Sequence, residues 1–180
     1  MRVITGSAKG KRLKTLDGLD VRPTSEKVKE SIFSIIQFEL EGAKFLDLFA
    51  GSGQIGIEAL SRGAEMCVFV DSNRDSQNII KENLQNTNLF SKSRVVNMDS
   101  LAYVGRCTDV FDIAFLDPPY NLGILQKVLP KIVEKMQNSG IIICEHEKND
   151  ILPDEVADFS KFRTYSYGRI NLTTYRKKED

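Results

Sequence analysis

The sequence predicts an α/β fold organised on a mostly parallel sheet, and three observations lead there. Short apolar runs alternate with helical patterns across residues 44–144. One run, residues 113–116, is continuously apolar, as in a strand covered by helices on both faces. The acids Asp47, Asp71, Asp99 and Asp117 each fall at or just beyond the end of a strand-like run. Ligands of a parallel sheet bind outside the carboxyl ends of its strands. Asp favours turns, which would account for one or two of these positions, but four acids on one rim point to a site.

In chain order, residues 2–5 and 12–15 read as two short strands about a Gly-bracketed turn, a basic hairpin. Pro23 then holds the chain extended, Thr24 or Ser25 can cap, and Glu26 suits a first helical turn. Val28, Ile32, Ile35, Ile36 and Leu40 recur at helical spacing. Strands are predicted at residues 44–49, 66–70, 94–97, 111–116 and 140–144. Helices are predicted at 54–62, stopped by Gly63, at 74–86, and at 122–137, where Pro130 kinks or restarts the helix. A helical or irregular stretch at 153–157 precedes two strand-like runs, 159–167 and 169–175, that meet at Gly168 as a closing hairpin.

Composition narrows the function classes. A chain of 180 residues with 41% apolar and 28% charged residues is one globular domain with a sizeable core. No apolar run approaches the roughly 20 residues that span a bilayer, and the first residues lack a signal-peptide core. A cytoplasmic protein without a membrane partner is expected. Cys67, Cys107 and Cys144 have no CxxC spacing and read as reduced packing residues. His146, the single histidine, reads as structural or surface, and no metal is expected. Net charge is zero, yet residues 1–16 carry Arg2, Lys9, Lys11, Arg12 and Lys14 and no acid. Basic ends, including Arg169, Arg176, Lys177 and Lys178, suit a phosphate backbone; ordinary solvated termini are the bland alternative.

The run 111–116 stops at Asp117-Pro118-Pro119-Tyr120. Two prolines cannot donate ladder hydrogen bonds, so the strand ends there in a stiff loop. That loop offers a carboxylate, carbonyls and a ring, the parts needed to act on the exocyclic amine of a base. Asp117 and the Pro118 carbonyl can accept from its N–H groups, and Tyr120 can stack on its face for about 1–3 kcal/mol. The tetrapeptide resembles the signature of S-adenosylmethionine-dependent amino-group methyltransferases, which modify adenine N6 or guanine N2.

The run Gly51-Ser52-Gly53-Gln54-Ile55-Gly56 also matches the dinucleotide fingerprint, with Asp71 about twenty residues on. Electrostatics separates the two readings. Carboxylates repel a pyrophosphate, whereas Asp47 can serve the sulfonium and ammonium of S-adenosylmethionine. Asp71 can accept from ribose hydroxyls, and Asp99 or its neighbouring backbone can meet the adenine edge.

The likeness is broader than either motif. Residues 2–6 and 10–13, the run 22–33 beginning Arg22-Pro23-Thr24-Ser25, residues 47–60, Asp117 to Tyr120, Tyr167-Gly168 and residues 172–175 together resemble the RsmD family. Those are bacterial enzymes that methylate guanine N2 in 16S ribosomal RNA. The resemblance implies a Rossmann-like class I methyltransferase fold, with a mostly parallel seven-stranded sheet, helices on both faces and a C-terminal β-hairpin. It implies a basic hairpin over residues 1–22, in contact with RNA, ahead of a methyltransferase domain at 23–180. The cofactor would be S-adenosylmethionine, held by Asp47, Phe49, Ala50, Gly51, Ser52, Gly53, Asp71, Ser72, Asp99 and Ser100. Arg22 and Thr24 would approach its methionine end. Asp117, Pro118 and Tyr120 would be catalytic. Pro119, Tyr120 and the hairpin cations Arg2, Lys9, Lys11, Arg12 and Lys14 would meet RNA. Asp71 stands where the family often has Glu, and Lys27 where it often has Arg. The expected partner is 16S ribosomal RNA, naked or within a small-subunit assembly intermediate, and the expected state is a monomer. The alternatives are an adenine-N6 methyltransferase on DNA or RNA, and a non-catalytic RNA-binding assembly module.

Overall fold

A computed structural model describes residues 1–16, 25–120 and 122–178. Five strands form its parallel part: β1 (Lys44–Asp47), β2 (Met66–Asp71), β3 (Ser93–Asn97), β4 (Phe111–Leu116) and β5 (Met136–Glu147). Three more, β6 (Glu155–Val156), β7 (Phe159–Tyr167) and β8 (Ile170–Lys177), add to it antiparallel, in the order β3-β2-β1-β4-β5-β8-β7-β6. The chain builds outward from β1 to β3 and then returns to lay β4 on the other side of β1. That reversal opens a crevice at the carboxyl ends of β1 and β4, where a ligand site belongs.

The expected seven strands are present, and β6 is an eighth. Glu155 and Val156 pair with Ser160 and Phe159 at the sheet edge, within the stretch expected to be helical or irregular. Two residues are too few to carry a period, so pairing with β7 rather than local pattern makes them a strand.

Alternation within the strands sorts the interior into two layers. Phe45, Ile113, Phe115, Ile141 and Ile143 face one layer, and Leu46, Ala114, Leu116, Ile142 and Cys144 face the other. Helices α1 (Glu26–Ile35), α2 (Gln54–Ser61) and α3 (Arg74–Asn86) contribute to the first layer; α4 (Ser100–Arg106) and α5 (Ile124–Ile132) cover the second. Ser25, of the two candidate caps, accepts from the Val28 N–H and starts α1; Thr24 lies outside the described residues. Val28, Ile32, Ile36 and Leu40 are buried as the spacing predicts, although the helix ends at Ile35 and a turn delivers Leu40.

No element is predicted between β3 and β4, yet α4 forms there. Asp99 caps it by accepting from the Ala102 N–H at 2.9 Å. At seven residues it has too few turns to stand out as a periodic pattern. Helix α5 is shorter than the predicted 122–137: it carries Pro130 inside and tightens to a 3-10 turn at Val133–Lys135, after which β5 begins four residues earlier than predicted. His146 is structural, with Nε2 and Nδ1 each 2.8 Å from an oxygen, Thr173 Oγ1 and the Glu147 carbonyl. Cys67 and Cys144 are buried free thiols.

The N-terminal hairpin takes a minimal form, one antiparallel bridge between Arg2 and Arg12 rather than two full strands. Its order comes from α2 and α3. Ile4 N and Thr5 N donate to the Glu58 carboxylate at 2.8 and 2.9 Å, Ser7 N donates to the Ser61 carbonyl, and Asn83 exchanges two hydrogen bonds with the Lys14 backbone. Gly6, at φ +90°, lies so close to α2 that a Cβ there would sit 1.7 Å from the Ser61 oxygen. Val3, Ala8 and Leu13 join the core. The segment is thus docked along its length, through backbone groups that no side-chain pattern announces.

Candidate active site

The loop after β1 is pinned from both sides. Leu48 N donates to the Phe115 carbonyl, Ala50 N to the Val70 carbonyl and Gly51 N to the Asp71 carboxylate. Phe49 takes φ +152°, a rare value for a residue with a side chain, and lines the cleft that the loop borders. Helix α2 is buried throughout and can press on β2 because residue 56 is glycine: a Cβ there would stand 2.3 Å from the Phe69 ring. Of the residues of the fingerprint, Gly56 does the helix-to-strand packing, as the third glycine of such a motif does.

The cleft has a volume of about 480 Å³, the size of a small-molecule site. Gly51, Asp71 and Ser72 line one part of it, Asp99 and Ser100 another, and Asp117, Pro118, Pro119 and Tyr120 a third. Leu16, Asn73, Ser76 and Ile124 complete the described lining. Three carboxylates face this space, and no Lys or Arg does among the described residues. Asp71 is held in place by accepting from Gly51 N and Asn73 N, both at 2.8 Å.

The deeper acids are poorly solvated. Asp47, 2% exposed, accepts one N–H, that of Gly56 at 2.9 Å. Burial pushes its carboxyl up to about 7, against the Gly56 hydrogen bond and helped by the Asp71 charge. Burial likewise holds Asp117 well above the ordinary carboxylate range, with Glu145 and then Asp47 adding to the effect. Burial, Glu145 and Asp47 all favour the neutral form of Asp117, and among the described residues no cation on the cleft lining opposes them.

The structure gathers many of the sequence-predicted residues, but not all. Phe49, Gly51, Asp71, Ser72, Asp99, Ser100 and Asp117 to Tyr120 share the cleft. Asp47, Ala50, Ser52 and Gly53 do not line it; they form the foundation of the loop, where Gly53 N donates to the Ala50 carbonyl and the half-buried Ser52 accepts through its carbonyl from Asn83. Arg22 and Thr24 lie outside the described residues. Lys9, Lys11 and Arg12 are exposed, whereas Arg2 pairs with Glu26 and Lys14 with Glu82.

Sequence reasoning misses Glu145. It is 2% exposed on β5 and accepts from the Tyr120 hydroxyl at 3.1 Å. The signal exists: Ile141-Ile142-Ile143-Cys144-Glu145 is an apolar strand that meets an acid, the same pattern that singles out Asp47, Asp71 and Asp117.

With this geometry in view, known proteins give the context. The family model described as Conserved hypothetical protein 95 matches residues 1–176. The Bacillus subtilis protein YlbH is 41% identical over 99% of this chain and all of its own. Ribosomal RNA small subunit methyltransferase D of Escherichia coli is 31% identical over 99% of this chain and 90% of its own. The solved structure of yhhF from Escherichia coli superposes with a TM-score of 0.89 at 30% identity, covering 98% of this chain and 97% of that one. The chain belongs to this family, the RsmD family of methyltransferases, and has its Rossmann-like fold.

Proposed function

We propose that the protein methylates the exocyclic N2 amine of a guanine in 16S ribosomal RNA, with S-adenosylmethionine as methyl donor. The observation that carries this reading is a nucleoside-sized cleft with three carboxylates and no described cation on its lining, ending in Asp117-Pro118-Pro119-Tyr120. Such a lining suits a sulfonium nucleoside and disfavours a pyrophosphate. The family relationship to a protein named for the small-subunit ribosomal RNA supports the substrate.

S-adenosylmethionine supplies a methyl group activated by the positive sulfur beside it. In this reading Asp71 accepts from the ribose hydroxyls, and Asp99 with Ser100 meets the adenine edge. Asp47 braces the glycine loop from beneath and adds negative potential. Asp117 and the Pro118 carbonyl accept from the N–H groups of the target amine, returning to nitrogen the electron density that the purine ring withdraws. Burial favours the neutral Asp117 carboxyl, and positive charge in the cleft makes it an acceptor. Acceptor and donor sites are therefore coupled. Tyr120 stacks on the base, which must leave any helix it belongs to.

Mass spectrometry of 16S ribosomal RNA from cells with and without the protein tests the reading. The expected difference is one N2-methylguanine; an N6-methyladenine, or no change in any RNA, would overturn it. In vitro, Asp117→Ala should abolish turnover while cofactor binding stays measurable by calorimetry. Full activity in that variant would refute the role of the acid.

A further inference from the structure

Tyr120 borders two spaces. One of its neighbours is the cleft described above; the other is a second pocket of about 230 Å³, lined among others by Lys27, Val28, Tyr120, Glu145, Tyr167 and Ile170. The second is smaller than the roughly 300–1,000 Å³ of pockets for drug-sized ligands, as a space for a single base would be. It lies between the first turn of α1 and the turn joining β7 to β8, with Glu145 as its buried acid.

The hydrogen bond from the Tyr120 hydroxyl to Glu145 Oε1 directs that end of the ring toward the carboxylate. A base stacked on this ring with one edge toward the hydroxyl therefore presents that edge to Glu145. A carboxylate accepts and cannot donate, and it pairs best with two parallel N–H groups. Guanine offers two on its Watson–Crick edge, N1–H and an N2 hydrogen. Adenine offers one donor beside the N1 lone pair, which a carboxylate repels. The exposed Lys27 at the rim can meet the phosphate of the same nucleotide.

We propose that this pocket receives the unstacked guanine and that Glu145 selects it, accepting from N1–H and from the N2 hydrogen not directed at Asp117. The inference rests on the guanine-N2 reading and adds to it a specificity residue that no motif marks. Discrimination follows because a base with a lone pair at N1 turns that lone pair on the carboxylate where guanine offers a donor, and sites built on hydrogen bonds reject such analogues strongly.

The test uses an RNA fragment bearing the guanine that the wild-type protein modifies, and the same fragment with 2-aminopurine there. The analogue keeps the amine but has a lone pair at N1. Wild-type protein should prefer guanine by about 100-fold or more in kcat/KM. Glu145→Gln turns one acceptor into a donor; it should lower kcat/KM for guanine by about 100-fold and shrink the preference, with affinity for S-adenosylhomocysteine unchanged. If no guanine in any RNA is modified, the functional reading fails. If guanine is modified but E145Q keeps the wild-type preference, the selection by Glu145 fails alone. A tenfold loss of cofactor affinity in E145Q would assign the acid to the cofactor and overturn the proposal. Should E145Q not fold, the wild-type ratio decides, and a ratio near one contradicts the proposal.

Discussion

Two poorly solvated carboxylates in this molecule have opposite surroundings. Glu58, fully buried on α2, is saturated: it accepts from Ile4 N and Thr5 N, bonds Arg62 Nε at 2.8 Å and pairs with the buried Lys29 ammonium at 3.2 Å. Asp117, at the sheet's carboxyl edge, has burial and two neighbouring acids acting on it, and none of these favours its charge. The first arrangement ties the N-terminal hairpin and α1 to α2. The second leaves an electrostatic deficit that a cationic ligand can fill. Compensation within the chain points to a structural acid, and a carboxyl beside a cleft that no described residue compensates points to a binding site.

The comparison breaks most visibly at Glu58. Glu58→Ala strips two backbone donors of their acceptor and leaves the buried Lys29 ammonium with the Arg2 carbonyl but no counter-charge, a loss of about 3–5 kcal/mol. At about 2–4 °C per kcal/mol for a chain of this size, calorimetry should record a melting point lower by roughly 6–20 °C. A fall of a degree or two would mean that the hairpin is not held through this residue.

Asp117→Asn should act in the opposite direction on the ligand-free protein. Asp47 and Asp117 bind more protons folded than unfolded, because burial raises both carboxyls. Stability therefore falls as pH rises, from about 4 through about 7 for Asp47 and further up for Asp117. Asn removes the charge, so the variant should melt a few degrees higher than wild type at pH 8, with a flatter pH dependence. A variant that melts lower at pH 8 would show that Asp117 is compensated after all.

The smallest effect belongs to the hairpin surface. Replacing Lys9, Lys11, Arg12 and Lys14 together by Ala should weaken RNA binding and reduce the salt slope by about 0.7–0.9 per lost phosphate contact. Lys14 already pairs with Glu82 and should contribute least. Unchanged affinity would leave these charges as a solvated face.

What the sequence reveals follows from the range of each interaction. Helix α3 and strand β4 match their predicted bounds because a cap, a clear period and a proline stop are local signals. Asp71, Asp99 and Asp117 are legible for the same reason, each sitting at the end of its own strand. Glu145 ends an apolar run in the same way, but its tie to Tyr120, twenty-five residues away, has no local signal. The docking of the hairpin on Glu58 and Asn83 is equally hidden: the donors are backbone groups separated from their acceptors by more than fifty positions. Asp47 is legible at a strand end as well, while its hydrogen bond from Gly56 N, nine residues on, is not.

Proton release on cofactor binding tests the central claim most directly. Titration calorimetry with S-adenosylmethionine at about pH 6, where an α-amino group is already protonated, is run in two buffers of different ionisation enthalpy. If the cleft acids wait neutral for a positive ligand, binding drives protons off them, and the apparent enthalpy should shift between buffers by the amount a net release requires. No buffer dependence, or net proton uptake, would contradict the account.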